Sequence, residues 1–253
     1  MRNKLTDELA VCGMNAVLAV GEHHPETINR LFLREDRLKS FTSICKQLAE
    51  RKRPYKICED EELERICKSV HHQGVVAMIE EPVIEPLSLE DLELWVNEKK
   101  TGVLLHSVGN DHNLGAIARA AAFFNVSFIV LNEKDSSFES EMRLTTSAYR
   151  IAEGGMEHLT VRRITSSAAF LKDASKNLVT IGTDTRARMR ISDISSIVDK
   201  KGVVLVLGNE ETGLPKEVKD RCSYLLRIPG TGNIDSLNVS QAASLFLHAI
   251  YEL

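Results

Sequence analysis

Apolar and polar positions along this chain fall into short blocks, and the blocks change character near residue 100. Before that point, two stretches have helical spacing, Leu38 to Arg51 and Glu61 to Val70. Short apolar runs lie near Arg30 to Leu33, at Lys56 to Cys58 and at Val75 to Ile79. Ala10 to Val20 reads as a first buried helix. It is no signal peptide, because Asp7 and Glu8 precede it and Asn15 interrupts it. Residues 1–80 are therefore expected to form a small α/β domain.

From residue 101 the alternation is clearer. Gly102 to His106, Ser127 to Leu131, Leu178 to Ile181 and Val203 to Leu207 are apolar and strand-like. Val203 to Leu207 is an unbroken apolar run, as fits a central strand of a parallel sheet. Leu114 to Phe124 is alanine-rich and helical, and Leu237 to Leu253 predicts a final helix. The fold class is α/β, with a parallel sheet and helices on both faces over residues 101–253. Residues 81–100 read as an acidic linker, broken by Pro82 and Pro86. Leu89, Leu92, Trp95 and Val96 keep helical spacing there, so a short helix anchored by Trp95 is expected.

Composition narrows the classes. Of 253 residues, 43% are hydrophobic and 27% charged, the balance of a globular protein. No apolar run is long enough to span a membrane. Five cysteines without CxxC pairing suggest reduced thiols and a cytoplasmic location. The pairs His23-His24 and His71-His72 lack partners at ligand spacing, so no metal is expected and both read as surface. The net charge of −4 lies wholly in residues 81–100. Any nucleic-acid surface must then come from local clusters such as Arg51-Lys52-Arg53, Arg162-Arg163 and Arg186, Arg188 and Arg190.

Three segments of the second domain run strand, glycine or asparagine turn, helix. Ligands in open α/β sheets bind at such carboxyl ends of strands. In the first, Asp111 to Phe124, Asn113 is a candidate N-cap and Gly115 permits close packing. Arg119 is a guanidinium set among small apolar residues, where a buried charge would need a partner. In the second, Gly208 and Gly213 bracket a polar loop after Val203 to Leu207. It is not a P-loop, because no Lys-Ser/Thr follows Gly213. The third begins at Ile228-Pro-Gly-Thr-Gly232 and continues through Asp235, Ser236, Asn238 and Ser240 into the last helix. Backbone N–H groups gather there beside hydroxyl and amide side chains, a place suited to a polar ligand.

In this order the segments resemble the three motifs of the SpoU/TrmH branch of the SPOUT methyltransferases. Asn113-Leu-Gly-Ala-Ile-Ala-Arg119 is similar to the first motif. Leu207-Gly-Asn-Glu-Glu-Thr-Gly213 resembles the second, and Ile228-Pro…Gly232…Ser236-Leu-Asn-Val-Ser240 the third. Gly154-Gly155 with His158 and Leu159, and Gly182-Thr-Asp184, match as well. Gly13-Met-Asn-Ala-Val17 is similar to the opening of the family's small, ribosomal-protein-like RNA-binding domain.

The resemblance implies a C-terminal trefoil knot, S-adenosylmethionine as cofactor, methylation of a ribose 2′-hydroxyl in ribosomal or transfer RNA, and a homodimer. By motif position, Thr183, Leu207, Gly208, Asn209, Ile228, Leu237 and Asn238 would contact the cofactor. Asn113 and Arg119 would line the RNA side, with Glu210, Ser236 and Asn238 organising the site. Gly230, Ala120 and Asn125 depart from the family pattern without removing any of these groups. A non-catalytic RNA-binding or ribosome-associated protein of the same fold is the alternative expectation.

Overall fold

This computed structural model describes residues 2–3, 7–133 and 143–253. The chain divides into two compact units. The first unit comprises residues up to 83 together with 143–158, and the second comprises 84–142 and 159–253.

The first unit holds strands β1 (Arg2–Asn3) and β2 (Glu8–Cys12), then helix α1 (Met14–His23), β3 (Ile28–Leu33), α2 (Thr42–Glu50), β4 (Tyr55–Ile57), α3 (Asp60–Cys67) and β5 (Val75–Glu80). Its sheet runs β1-β2-β5-β3-β4. The expected helix from Ala10 to Val20 is corrected here. Ala10 to Cys12 completes a fully buried strand, and Gly13 turns the chain with φ +100° before the helix begins. Glycine takes that φ without strain, so one apolar run serves two elements. His72 also departs from expectation. It is buried, and its Nδ1 accepts from the Gly74 amide at 3.0 Å.

The second unit begins with β6 (Glu85–Pro86), α4 (Leu89–Asn97), β7 (Thr101–Leu105), α5 (Asp111–Phe123) and β8 (Phe128–Asn132). Helix α6 (Thr146–Ala152) belongs to the first unit. Then follow β9 (Thr160–Ile164), α7 (Ser167–Ala174), β10 (Val179–Thr183), β11 (Met189–Arg190), β12 (Val203–Leu207), α8 (Lys216–Lys219), β13 (Tyr224–Arg227) and α9 (Val239–Tyr251). The eight strands form one parallel sheet in the order β11-β13-β10-β12-β7-β8-β9-β6. Helix α9 packs on α5 and on β12, so the third motif lies beside the first two.

The segment expected as a linker is built into the second unit. Ser88 and Asp91 form a reciprocal capping box at the start of α4. Trp95 is fully buried, stacks on Phe128 with ring centroids 4.9 Å apart, and donates from Nε1 to the Val203 carbonyl at 3.2 Å. Gly102 leaves the space that the indole fills.

The Arg162-Arg163 pair is also corrected. Both arginines lie on β9 and are taken up by internal partners. Arg162 grips Asp91 at 2.8 and 3.2 Å. Arg163 reaches the Ile84 carbonyl at 2.8 Å and pairs with Glu133.

Burial works against the Asp91 carboxylate, but hydrogen bonds from Arg162 and Ser88 hold its pKa below the ordinary value. Asp184 has the same balance, with burial opposed by Lys219 at 2.8 Å. A folded pKa below the unfolded one means that protons favour the unfolded chain. These pairs therefore contribute fully above about pH 4 and lose their contribution as pH falls through the lowered values. In urea unfolding between neutral pH and about pH 3, Asp91→Asn should lose less stability than wild type. Identical acid slopes would remove Asp91 from the account.

Candidate active site

The candidate residues meet at the carboxyl ends of β7, β12, β10 and β13. Asn110 caps α5, and its Oδ1 accepts from the His112 amide at 2.8 Å. The cap expected at Asn113 is thus three residues earlier. Asn113 sits in the first helical turn, buried to 8% exposure.

That placement frees the Asn113 amide for longer-range bonds. Its Nδ2 donates to Glu210 Oε1, and its Oδ1 accepts from Asn238 Nδ2 at 3.1 Å. Asn238 in turn caps α9, and its Oδ1 accepts from Ser240 N at 2.8 Å and Ser240 Oγ at 2.6 Å. Every donor in this line points the same way, from Ser240 through Asn238 and Asn113 to a carboxylate. Aligned hydrogen bonds polarise one another, and a charged terminus strengthens the last of them. Asn113 of the first motif is therefore bonded to one residue from each of the other two.

The second motif forms a closed loop. Asn209 Oδ1 accepts from Glu211 N at 2.9 Å, Thr212 N at 3.1 Å and Thr212 Oγ1 at 3.2 Å. Its Nδ2 donates to the Ser107 carbonyl at 3.0 Å, tying the loop to the end of β7. Gly213 N donates to the Asn209 carbonyl at 2.9 Å, with Gly213 at φ +66°. Gly208 lies directly beneath, and a Cβ there would stand 2.5 Å from the Gly213 carbonyl carbon. Leu207 is fully buried at the end of β12. Thr183 Oγ1 donates to the Val206 carbonyl at 3.3 Å, joining the ends of β10 and β12.

The third motif is open. Residues 229–238 are exposed throughout, Leu237 at 47%, and among the described residues nothing lies within 4 Å of a Cβ built on Gly230 or Gly232. Ile228 is half-buried where β13 ends, and Ser236 is exposed. A loop with free space beside buried strand ends fits a polar cofactor of several groups.

Arg119 is carried by a helix whose other side is buried, and its own side chain reaches solvent. The buried face of α5 is Asn113, Leu114, Gly115, Ile117, Ala118 and Ala121, and Arg119 stands exposed. The alanines flanking it made its surroundings look more apolar than they are. Sequence reasoning did not single out Asn110, Ser107 or the His106–Ser167 hydrogen bond of 2.9 Å at the end of β7. Asn110 had a readable signal, an asparagine immediately before an acidic first turn.

A family model described as the SpoU rRNA methylase family matches residues 100–248. The chain belongs to the SpoU methylase family. Its residues 10–83 match a second model, described as RNA 2′-O ribose methyltransferase substrate binding. YacO of Bacillus subtilis (strain 168), assigned to the TrmH family of tRNA/rRNA methyltransferases, is 32% identical over 184 residues, which span 71% of this chain and 70% of YacO. A TrmH-family protein of Staphylococcus haemolyticus is 26% identical over 254 residues, covering 97% of this chain and 96% of its own.

Among solved structures, the SpoU methyltransferase AviRb of Streptomyces viridochromogenes, in complex with AdoMet, aligns with a TM-score of 0.73 at 21% identity, over 97% of this chain and 90% of that one. The AdoMet-bound rRNA methyltransferase of Sinorhizobium meliloti aligns at 0.76 and 22%, over 98% and 88%. Those two show the SpoU fold. Membership of the SpoU family makes the chain an RNA methyltransferase that uses S-adenosylmethionine, and it favours the catalytic expectation over the non-catalytic one.

Proposed function

We propose that this chain methylates a ribose 2′-hydroxyl of ribosomal or transfer RNA at the site formed by its three motif loops. The observation that carries this reading is the hydrogen-bonded line from Ser240 through Asn238 and Asn113 to Glu210. It holds the loops together where a SpoU methylase would need its cofactor and its RNA side by side.

S-adenosylmethionine supplies an electrophilic methyl group on a sulfonium. Thr183, Leu207, Gly208, Asn209, Ile228, Leu237 and Asn238 would hold it, largely through backbone groups and apolar contact. Glu210 and Asn238 keep Asn113 in one orientation, and Ser236 of the third motif would help to organise the site. Rigid placement of two reacting groups can supply several kcal/mol, up to about 7–11. Arg119 would grip the target's phosphate through its planar fork and turn the ribose hydroxyl toward the site. A guanidinium offers five N–H donors and no acceptor, so Arg119 binds and orients rather than removing the proton. The proton leaves late, to phosphate or water.

The same reading includes a trefoil knot through the C-terminal loops and a homodimer that covers exposed Phe123, Leu245 and Tyr251. It places the enzyme in a reducing cytoplasm, in keeping with five free thiols.

Two measurements test the proposal. Calorimetry of the purified protein with S-adenosylmethionine should give saturable one-site binding. Mapping of 2′-O-methyl groups in total RNA should show a position lost without the gene and restored by wild type. Absence of donor binding, with no position changed, would overturn it.

A further inference from the structure

The edge of the eight-stranded sheet carries a row of arginines outside the three motifs. β11 is the edge strand and pairs with β13, which sets Met189 beside Leu226 and Arg190 beside Arg227. Thr183 of β10 lies on the other side of Leu226. Leu226 is fully buried and Met189 half-buried, so the next residues along, Arg190 and Arg227, turn together to the opposite face. Arg188 is exposed, as is Arg190 two residues on.

Among the described residues, no carboxylate pairs with the guanidiniums of Arg188, Arg190 or Arg227. The acids close by in the chain are engaged elsewhere. Asp184 holds Lys219 at 2.8 Å, and the Asp193 carboxylate accepts from the Arg190 amide at 2.8 Å. Arg186 stands outside the row, because its charge already answers Asp184. Neighbouring strands lie about 4.8 Å apart, and like charges side by side on them repel. An anion held between Arg190 and Arg227 removes that repulsion, and a phosphate oxygen pair suits the planar fork of each.

We propose that Arg188, Arg190 and Arg227 form a phosphate-binding row that holds the RNA strand leading into the third motif. This rests on the reading of the chain as an RNA methyltransferase and names the surface that takes the RNA backbone. Arg227 is followed at once by Ile228 and then by the exposed loop 229–238, so a strand gripped on the row continues directly to that loop. The rest of the surface fits a polyanion better than a protein. Among the described residues from 159 to 227, no large hydrophobic side chain is exposed, so the apolar anchors of a protein interface are missing there. Contacts to phosphate fix register and direction and carry no base preference.

The test uses the whole chain and a fluorescent oligouridylate as the probe, with affinity read by anisotropy over a range of salt concentrations. Each phosphate contact on a single strand contributes about 0.7 to the slope of log affinity against log salt. The double variant Arg188→Gln/Arg190→Gln should therefore bind more weakly, with the slope reduced by about 1.4. Adding Arg227→Gln should lower it again. Arg188→Lys/Arg190→Lys keeps both charges and should keep a slope near wild type. Lys200→Gln/Lys201→Gln removes two exposed charges at the amino end of β12 and should leave the slope unchanged. Equal slopes for the two glutamine pairs, a lysine variant as weak as the glutamine one, or a wild-type protein that ignores the probe overturns the row.

Calorimetry with S-adenosylmethionine on the same proteins separates this result from the enzymatic reading. Arg188 and Arg190 are exposed, so their glutamine variant should stay folded and bind the donor as wild type does. Donor binding with no arginine-dependent slope removes the row alone. An arginine-dependent slope in a protein that does not bind the donor keeps the row and removes the methyl transfer.

Discussion

Arg119→Ala should abolish most of the methyl transfer while leaving the protein folded and able to bind S-adenosylmethionine. Arg119 is exposed on α5, on the side away from the buried face. Alanine is the best helix former, and exposed substitutions of this kind usually change stability by less than about 0.5 kcal/mol. The loss should therefore appear in the chemical step. Removing one charged or hydrogen-bonding group that steadies a transition state commonly costs about 10²–10³ in rate.

Single-turnover kinetics with saturating donor and target RNA would read this. Arg119→Lys divides the mechanisms further. Lysine keeps the charge and loses the planar fork, so it should restore only a small part of the rate. Near wild-type turnover of the lysine variant would end the clamp reading of Arg119. A variant that also loses donor binding would show that Arg119 supports the cofactor side instead.

Gly208→Ala should strike the cofactor side first. The added methyl would stand 2.5 Å from the Gly213 carbonyl carbon and 2.6 Å from the Leu214 nitrogen. Both are backbone atoms, so no side chain can rotate aside. The loop from 208 to 214 must open, and with it the three bonds that Asn209 Oδ1 accepts. Glu210 then leaves its place beside Asn113. Overpacking of this kind costs about 1–3 kcal/mol of stability. A displacement of about 1 Å near reacting groups can cost about 10² in activity. Calorimetry should show the S-adenosylmethionine affinity falling by at least about tenfold, a difference near 1.4 kcal/mol. Wild-type affinity in a folded Gly208→Ala protein would separate this loop from the cofactor.

Much of this site could be read in the sequence because its determinants are local. Gly208, Asn209, Glu210 and Gly213 lie within one loop, and a closed glycine turn imposes its own residue types. The parallel sheet was equally legible, since Val203 to Leu207 is an unbroken apolar run. Other features depend on contacts that no spacing records. Asn110 and Asn113 are both plausible caps, and only the backbone shows that the earlier one caps the helix. Arg119 looked enclosed by an apolar row because its alanine neighbours face both the core and solvent. Ala10 to Val20 looked like one helix because Gly13 interrupts it without changing its polarity. The Arg162-Arg163 pair looked like free surface because Asp91 and Glu133, which take it up, are remote in sequence.

The division of the chain bears on how the protein can be taken apart. The backbone passes between the two units three times, after residues 83, 142 and 158. Residues 143–158 lie within the methylase match, yet Asn15 Nδ2 donates to Glu153 Oε2 at 3.2 Å and a Cβ on Gly154 would meet that of Ala19 at 2.9 Å. A single cut at residue 84 would thus remove the surface on which Ala148, Tyr149 and Ala152 are buried. The carboxyl-terminal fragment would carry an orphaned greasy flank, and recombinant truncations should be planned around that loss.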